Sequence, residues 1–290
     1  MKNKILEELR SMQEFFGIHH KNLTHIEGGL GAQILGILAF YNQQDKYGQK
    51  KAKCDLSYFS HLDRAGLWQW KLNNYGIELE DLRKFESHSK FHLLKPKKDF
   101  ITKLEISQGY WKNSREKYLS RFPINEEQLQ SFLYKVLDKS NLESYGAVHI
   151  RRGDYLQVAS KVIGLDEYTQ FIVNIRSMLP KLSFVITDSP LKREEKQQLL
   201  QAVGMDRETV FLDGPSHDPF MLHCLMRSAE ILVTSNSTFS FSAGLLGKEG
   251  QRVFSPVEFH AGKGSEKYNR TFRSVGSFTS WNLDNARGTI

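Results

Sequence analysis

The sequence predicts an α/β protein of two domains, with a doubly wound parallel sheet in its C-terminal half. Three observations carry this expectation. Strand-like and helix-like stretches alternate with short connections throughout residues 145–256, the pattern of successive βαβ units. A separate strand, glycine loop and helix follow one another from Leu23. The chain's 290 residues also exceed what one core commonly organises, domains usually holding about 100 to 150. The expected partition is 1–142 and 143–290.

Taken in order, Ile5, Leu6, Leu9, Met12, Phe15 and Phe16 recur at helical spacing, so an amphipathic helix opens the chain. Leu23 to Ile26 reads as a short strand, followed by Glu27-Gly-Gly-Leu-Gly-Ala-Gln33 and a helix over about 34–44. Gly28, Gly29 and Gly31 allow close backbone approach to a ligand, and the helix start offers N–H groups to an anion. The loop is neither a full dinucleotide fingerprint nor a Walker A loop, and such loops are more often tight turns than phosphate cradles. From Lys46 to about Pro123 aromatics such as Tyr58, Phe59 and Trp70 stand among polar residues, as sugar platforms or as core. His88 and His92 would share a helix face, but no third ligand is near, so no metal site is expected. Residues 125–142 read as a helix leading into the second half.

Tyr145 to His149 reads as a buried strand, and Arg151 and Arg152 leave its C-terminal end within His149-Ile-Arg-Arg-Gly-Asp-Tyr155. A helix over about 166–179 follows, with Asp166 placed to cap it. The strand 182–187 ends at Asp188, and a helix over 191–203 and a strand over 209–212 continue the alternation. A helix over 219–229 leads to the strand 231–233, which runs into Thr234-Ser235-Asn236-Ser237-Thr238-Phe239-Ser240 before an Ala/Gly/Leu helix. The last strand expected is 252–256.

Three polar loops thus follow three strands, and in a parallel sheet all three open on the edge where ligands bind. Paired guanidinium forks match phosphate oxygens two at a time, which makes Arg151 and Arg152 a diphosphate clamp. The alternative is that they pair with carboxylates, Asp154 being the obvious partner.

Composition excludes a disordered or fibrous chain, with 40% hydrophobic and 25% charged residues. The net charge of +7 is uneven: residues 1–140 hold 23 Lys+Arg against 17 Asp+Glu, the remainder 17 against 16. This surplus suits an anionic membrane surface or an anionic acceptor, although a solvated face explains so modest an excess better. Nucleic acid is not an expected partner, because the lysines are not interleaved with a recognition module. Cys54 and Cys224 stand far apart, indicating neither a disulfide framework nor a zinc site. The N-terminus carries charges where a signal peptide needs its apolar core, and no stretch approaches the ~20 apolar residues of a membrane span. The expected location is cytoplasmic, at most peripheral at the inner membrane face.

His149-Ile-Arg-Arg-Gly-Asp-Tyr155 resembles the H-x-R-R-G-D-Y motif of the α-1,2-fucosyltransferases, glycosyltransferase family 11. Glu27 to Gln33 is similar to that family's G-G-L-G-N-Q, and Asn236 to Ser240 to its N-S-T-F-S segment, in the same order. The resemblance implies a GT-B-like fold of two Rossmann-type domains facing a cleft, with GDP-fucose held mainly by the C-terminal one. It further implies inverting transfer to a hydroxyl of a glycan or lipid-linked oligosaccharide, in surface polysaccharide or O-antigen synthesis. On this reading Arg151 and Arg152 grip the diphosphate with His149 beside them, and Asp188 lies near the guanine. Ser237 and Thr238 lie near the phosphates, Ser235 and Asn236 belong to the same donor-binding loop, and Gly28, Gly29, Gly31 and Gln33 face the donor. No metal or other cofactor is implied, and no Asp-x-Asp triplet occurs to hold one.

Asp154 is the first candidate for the base that deprotonates the acceptor, although it could equally orient an arginine; Glu27 and Asp166 are weaker candidates. Ala32 stands where the family motif has Asn, which leaves open another GDP-sugar as donor, a compensating contact, or reduced activity. The contrasting class is a non-catalytic glycan- or polyanion-binding protein that uses the basic N-terminal half.

Overall fold

The computed structural model describes residues 23–60, 69–86, 116–138, 144–153, 163–256 and 278–281. The chain divides into two compact units, Met1–Asn113 and Ser114–Ile290. Both are α/β with parallel strands.

In the first unit β1 (Leu23–His25) pairs in parallel with β2 (Lys53–Asp55), in a register that sets His25 opposite Asp55. The helix Leu30–Tyr47 connects them. Leu30, Ile34, Leu35, Ile37, Leu38 and Phe40 are all buried, so this helix is interior rather than amphipathic. Gly36 lets it approach β1 closely: a Cβ there would meet Ile26 at 3.3 Å. The helix extends beyond the expected 34–44 at both ends, and its C-terminal stop is Gly48 at φ 88°, whose N–H donates to the Gln44 carbonyl at 2.8 Å.

The second unit is a six-stranded parallel sheet in the order β5-β4-β3-β6-β7-β8. Its strands are β3 (Gly146–Ile150), β4 (Leu182–Thr187), β5 (Glu208–Asp213), β6 (Ile231–Val233), β7 (Arg252–Pro256) and β8 (Thr279–Trp281). The chain winds outward from β3 to β5, then returns to β3's other side and winds outward again from β6. This is the doubly wound order, and its reversal falls between β3 and β6. Side chains alternate across the sheet: Val148, Ile150, Val185, Ile231 and Val233 join one core with the helices Leu165–Ile175 and Arg193–Val203. On the other face Phe184 meets Tyr145 edge-on, with ring centroids 5.2 Å apart.

Several expectations are corrected. The helix Glu126–Leu137 belongs to the second unit, because it packs against the helix Pro219–Ser228; the boundary therefore precedes it. Its N-terminus is capped by Asn125, whose Oδ1 accepts the Gln128 N–H at 3.0 Å. Gly164, not Asp166, caps Leu165–Ile175, with its N–H donated to Glu167 Oε2 at 2.9 Å. A further strand, β8, lies beyond β7. The expected helix over 4–16, as well as His88, His92 and Asp154, lies outside the described residues.

Phe184 is fully buried at the centre of the sheet. Phe184→Ala is expected to cost about 3–5 kcal/mol in urea denaturation. Met205→Ala, at an 80% exposed position, should stay within about 0.5 kcal/mol of wild type.

Candidate functional site

The second unit's site is built at the carboxyl ends of β3, β4 and β6. Because the strands are parallel, Arg151 and Arg152, Asp188, and Thr234 to Ser237 all emerge on one edge. The crevice between β3 and β6, where the winding reverses, is where such sheets place ligands.

A single carboxylate joins the first two loops. Asp188 accepts the Arg152 backbone N–H through Oδ1 at 2.8 Å and pairs with Arg151 Nη1 through Oδ2 at 2.9 Å. Gly153, at φ 21°, passes so close to Asp188 that any Cβ would overlap the carboxylate, so glycine is required there. Arg152 Nη2 pairs with Glu195 Oε1 at 2.7 Å, while Glu195 Oε2 accepts the Lys192 N–H at 2.8 Å. Burial pushes the Glu195 carboxyl up, yet the Lys192 N–H and the Arg152 guanidinium together hold it below its ordinary value. Both arginines are therefore ion-paired, with Asp188 and Glu195 as partners among the described residues. Asp188, expected beside a nucleobase, has both oxygens engaged by the arginine loop.

The third loop is tied to β3. His149 is buried, and its Nδ1 lies 2.8 Å from Ser235 Oγ. Burial first, and then the charge of Arg151, push this imidazole down to about 3, so it is neutral at physiological pH. The Ser235 N–H donates to Ser240 Oγ at 3.2 Å, and Ser237 caps the helix Thr238–Leu245 by accepting the Phe239 N–H at 3.3 Å. The Ser235 and Ser237 hydroxyls thus hold the loop, and the start of the Thr238–Leu245 helix offers backbone N–H groups and a positive dipole end to an anion. Asn236 is buried and Thr238 half-buried in the same turn. The Thr234 hydroxyl is fully buried with no hydrogen-bond partner among the described residues.

The first unit holds the glycine loop between β1 and its helix. Gly28 takes φ 81°, a conformation that favours glycine, and a Cβ there would meet Ala32 at 3.1 Å. Gly29 is the helix N-cap in extended conformation, and Gly31 is buried in the first turn. Gln33 is wholly buried: Nε2 donates to the carbonyls of Gly28 at 2.7 Å and Gln69 at 2.9 Å, while Oε1 accepts the Lys71 N–H at 2.9 Å. Its amide braces the loop against residues 69–71.

Beside this loop lies a cluster of which the sequence singled out only Glu27, as a weaker base candidate. His25 Nδ1 meets Asp55 Oδ2 at 2.8 Å, and its Nε2 meets Glu27 Oε2 at 2.7 Å. Burial acts to lower this imidazole, but the hydrogen bonds and charges of Asp55 and Glu27 outweigh it and raise it to about 9. His25 is therefore an imidazolium at neutral pH. Asp55 ends β2, whose three residues Lys53-Cys-Asp55 carry charges at both ends and no apolar run to mark a strand.

Among the described residues no group of three His, Cys, Asp or Glu is arranged to hold a metal ion, and no helix is long and apolar enough to cross a membrane. Asp166, one of the weaker base candidates, is exposed, and its Oδ1 accepts from Gln198 at 2.5 Å.

The two histidines give opposite pH dependences. The folded His25 binds its proton more tightly than an unfolded histidine does, so its contribution is complete below about 6.5 and is lost as pH rises through about 9. His25→Gln should abolish that alkaline loss, read by denaturation from pH 6 to 10. His149 has a depressed value, so its contribution is complete above about 6.5 and declines as pH falls towards about 3.

No family model matches the chain, and no curated protein sequence matches it. Among solved structures it is similar to the crystal structure of POFUT1 in complex with GDP-fucose, at 18% identity and a TM-score of 0.35. The likeness covers 45% of this chain and 45% of that one, less than half of either.

Proposed function

We propose that the chain is an inverting glycosyltransferase that moves fucose from GDP-fucose to a hydroxyl of a glycan acceptor. The observation that carries this reading is the arginine pair held at the switch point of a doubly wound sheet by Asp188 and Glu195. As the sugar–phosphate bond breaks, negative charge grows on the leaving diphosphate. Guanidinium N–H donors already fixed in place, together with the first turn of the Thr238–Leu245 helix, stabilise that charge without reorganising. GDP as the nucleotide and fucose as its sugar rest on the His149–Tyr155, Glu27–Gln33 and Asn236–Ser240 motifs, as do the α-1,2 linkage and a polysaccharide acceptor. Another GDP-sugar remains the alternative donor that Ala32 raises.

A polyanion-binding protein is favoured less. The charges of both guanidinium ions are offset by carboxylates, which does not make a surface that gathers polyanions.

Arg152→Ala should lower GDP-fucose turnover by about 10²–10³-fold in a protein that still folds, though with a lowered melting transition because Glu195 loses its partner. Glu195→Gln, which keeps the shape and loosens the arginine, should fall between wild type and Arg152→Ala. Turnover of Arg152→Ala at the wild-type rate would remove the clamp from the account. Faster turnover of GDP-mannose than of GDP-fucose would reassign the donor.

A further inference from the structure

β5 closes one side of the six-stranded sheet, and among the described residues no strand pairs with its outer side. The Glu208 N–H donates inward to the Lys181 carbonyl at 2.8 Å, and the Gly214 N–H inward to the Thr187 carbonyl at 3.1 Å. Along a strand the backbone groups of successive residues point to alternate sides, so Thr209, Phe211 and Asp213 turn theirs outward. Open edges of this kind are usually blunted by proline, lysine, a bulge or brevity. The opposite edge is brief, since β8 has three residues. β5 has six, Glu208-Thr-Val-Phe-Leu-Asp213, with no proline, glycine or lysine, and of its apolar residues only Leu212 is buried. Nor does the helix above it close over the edge. The Arg193–Val203 helix lays Lys196 over the Phe211 ring at 5.4 Å, but its outer face leaves a groove of about 550 Å³ lined by Leu191, Arg193, Lys196, Gln197 and Leu200.

We propose that β5 is an interface between two copies of this chain, paired antiparallel across a two-fold axis into one continuous sheet. It holds or fails independently of the transferase reading. A two-fold axis normal to the sheet sets residues of the same phase opposite each other, so the outward groups of Thr209, Phe211 and Asp213 meet outward groups of the second copy. Charge selects the register. Arg207, just before β5, is held by the Leu179 and Pro180 carbonyls and has no carboxylate within ion-pair distance among the described residues. One register sets it opposite Asp213 of the second copy at both ends of the interface, with Thr209 opposite Phe211 and Val210 opposite itself. A shift by two residues sets Asp213 against Thr209 or Met205 instead and loses both opposite-charge pairs. Asp213 already holds the Lys196 ammonium at 2.9 Å, and a carboxylate has lone pairs for a second cation. Thr209 and Phe211 of the second copy extend the sheet face beside the groove, whose Leu191 and Leu200 offer them apolar contact. A base at one end and an acid at the other make this edge complementary to its own reverse, which is why a second copy is the occupant it fits.

The test is sedimentation equilibrium of the full chain and of Val210→Lys over a range of concentrations, together with mild oxidation of Val210→Cys and Met205→Cys. Wild type is expected to sediment as a dimer. Val210→Lys sets two ammonium groups face to face on the axis, and is expected to sediment as a folded monomer. Facing Val210 residues form a non-hydrogen-bonded pair with Cα atoms about 4.5 Å apart, within the reach of a disulfide. Val210→Cys should therefore cross-link into a dimer, while Met205→Cys, at an 80% exposed position away from the axis, should not. A wild type that sediments as a monomer at every concentration overturns the proposal, whatever covers the edge instead. A dimer that persists in Val210→Lys overturns it, as does a Val210→Cys chain that cross-links no better than Met205→Cys. If Val210→Lys fails to fold, the cross-linking pair decides.

Discussion

The carboxylate of Asp188, at the tip of β4, receives the Arg152 N–H at 2.8 Å and the Arg151 guanidinium at 2.9 Å from the adjacent loop. A free arginine side chain carries about 2 kcal/mol of rotamer entropy, which a ligand would otherwise have to remove. Here folding removes it. Glu195 does the same for Arg152 from the first turn of its helix, using its other oxygen to satisfy that helix's start. The parallel register of β3 with β4 brings Ile150 opposite Thr187, and so places the two loops within reach of each other. Gly153 then makes room for the carboxylate.

Two histidines show how surroundings decide charge in this chain. His149 is buried and His25 half-buried, each within a parallel strand, yet one is neutral and the other cationic at pH 7. His149 has a serine hydroxyl as its partner and an arginine nearby, so nothing offsets the cost of burying its charge. It serves as a fixed strut between β3 and the loop after β6. His25 has a carboxylate at each nitrogen, and their attraction exceeds the burial cost. The result is a cation that orders the entry to the glycine loop.

Much of the second unit was legible because its strands are continuous apolar runs bounded by polar tips. The strands β4, β6 and β7 lie at the expected residues, and the loops after β3, β4 and β6 share an edge as expected. Arg151 and Arg152 could be singled out by residue type, but their partners could not. Glu195 is distant in sequence, and only the packing of its helix against the helix Leu165–Ile175 and β5 brings it to Arg152. Asp188 was visible as a polar strand tip, yet its attachment to the arginine loop depends on register. The strands β2, Lys53-Cys-Asp55, and β8, Thr279-Ser-Trp281, lack the apolar run that marks the equally short β6. Without β2, neither Asp55 nor the His25 cluster could be recognised. The unit boundary was missed for a related reason: the helix Glu126–Leu137 is plain in the sequence, but which unit it packs against is a long-range fact.

The most direct measurement is thermal denaturation of the full chain with GDP and with UDP, in EDTA. A ligand at 100 times its Kd adds about 2.7 kcal/mol to stability. A preformed arginine site for a guanine nucleotide predicts stabilisation by GDP and none by UDP, undiminished by the chelator. No shift with GDP, or a shift that EDTA abolishes, would contradict a diphosphate site built from arginines.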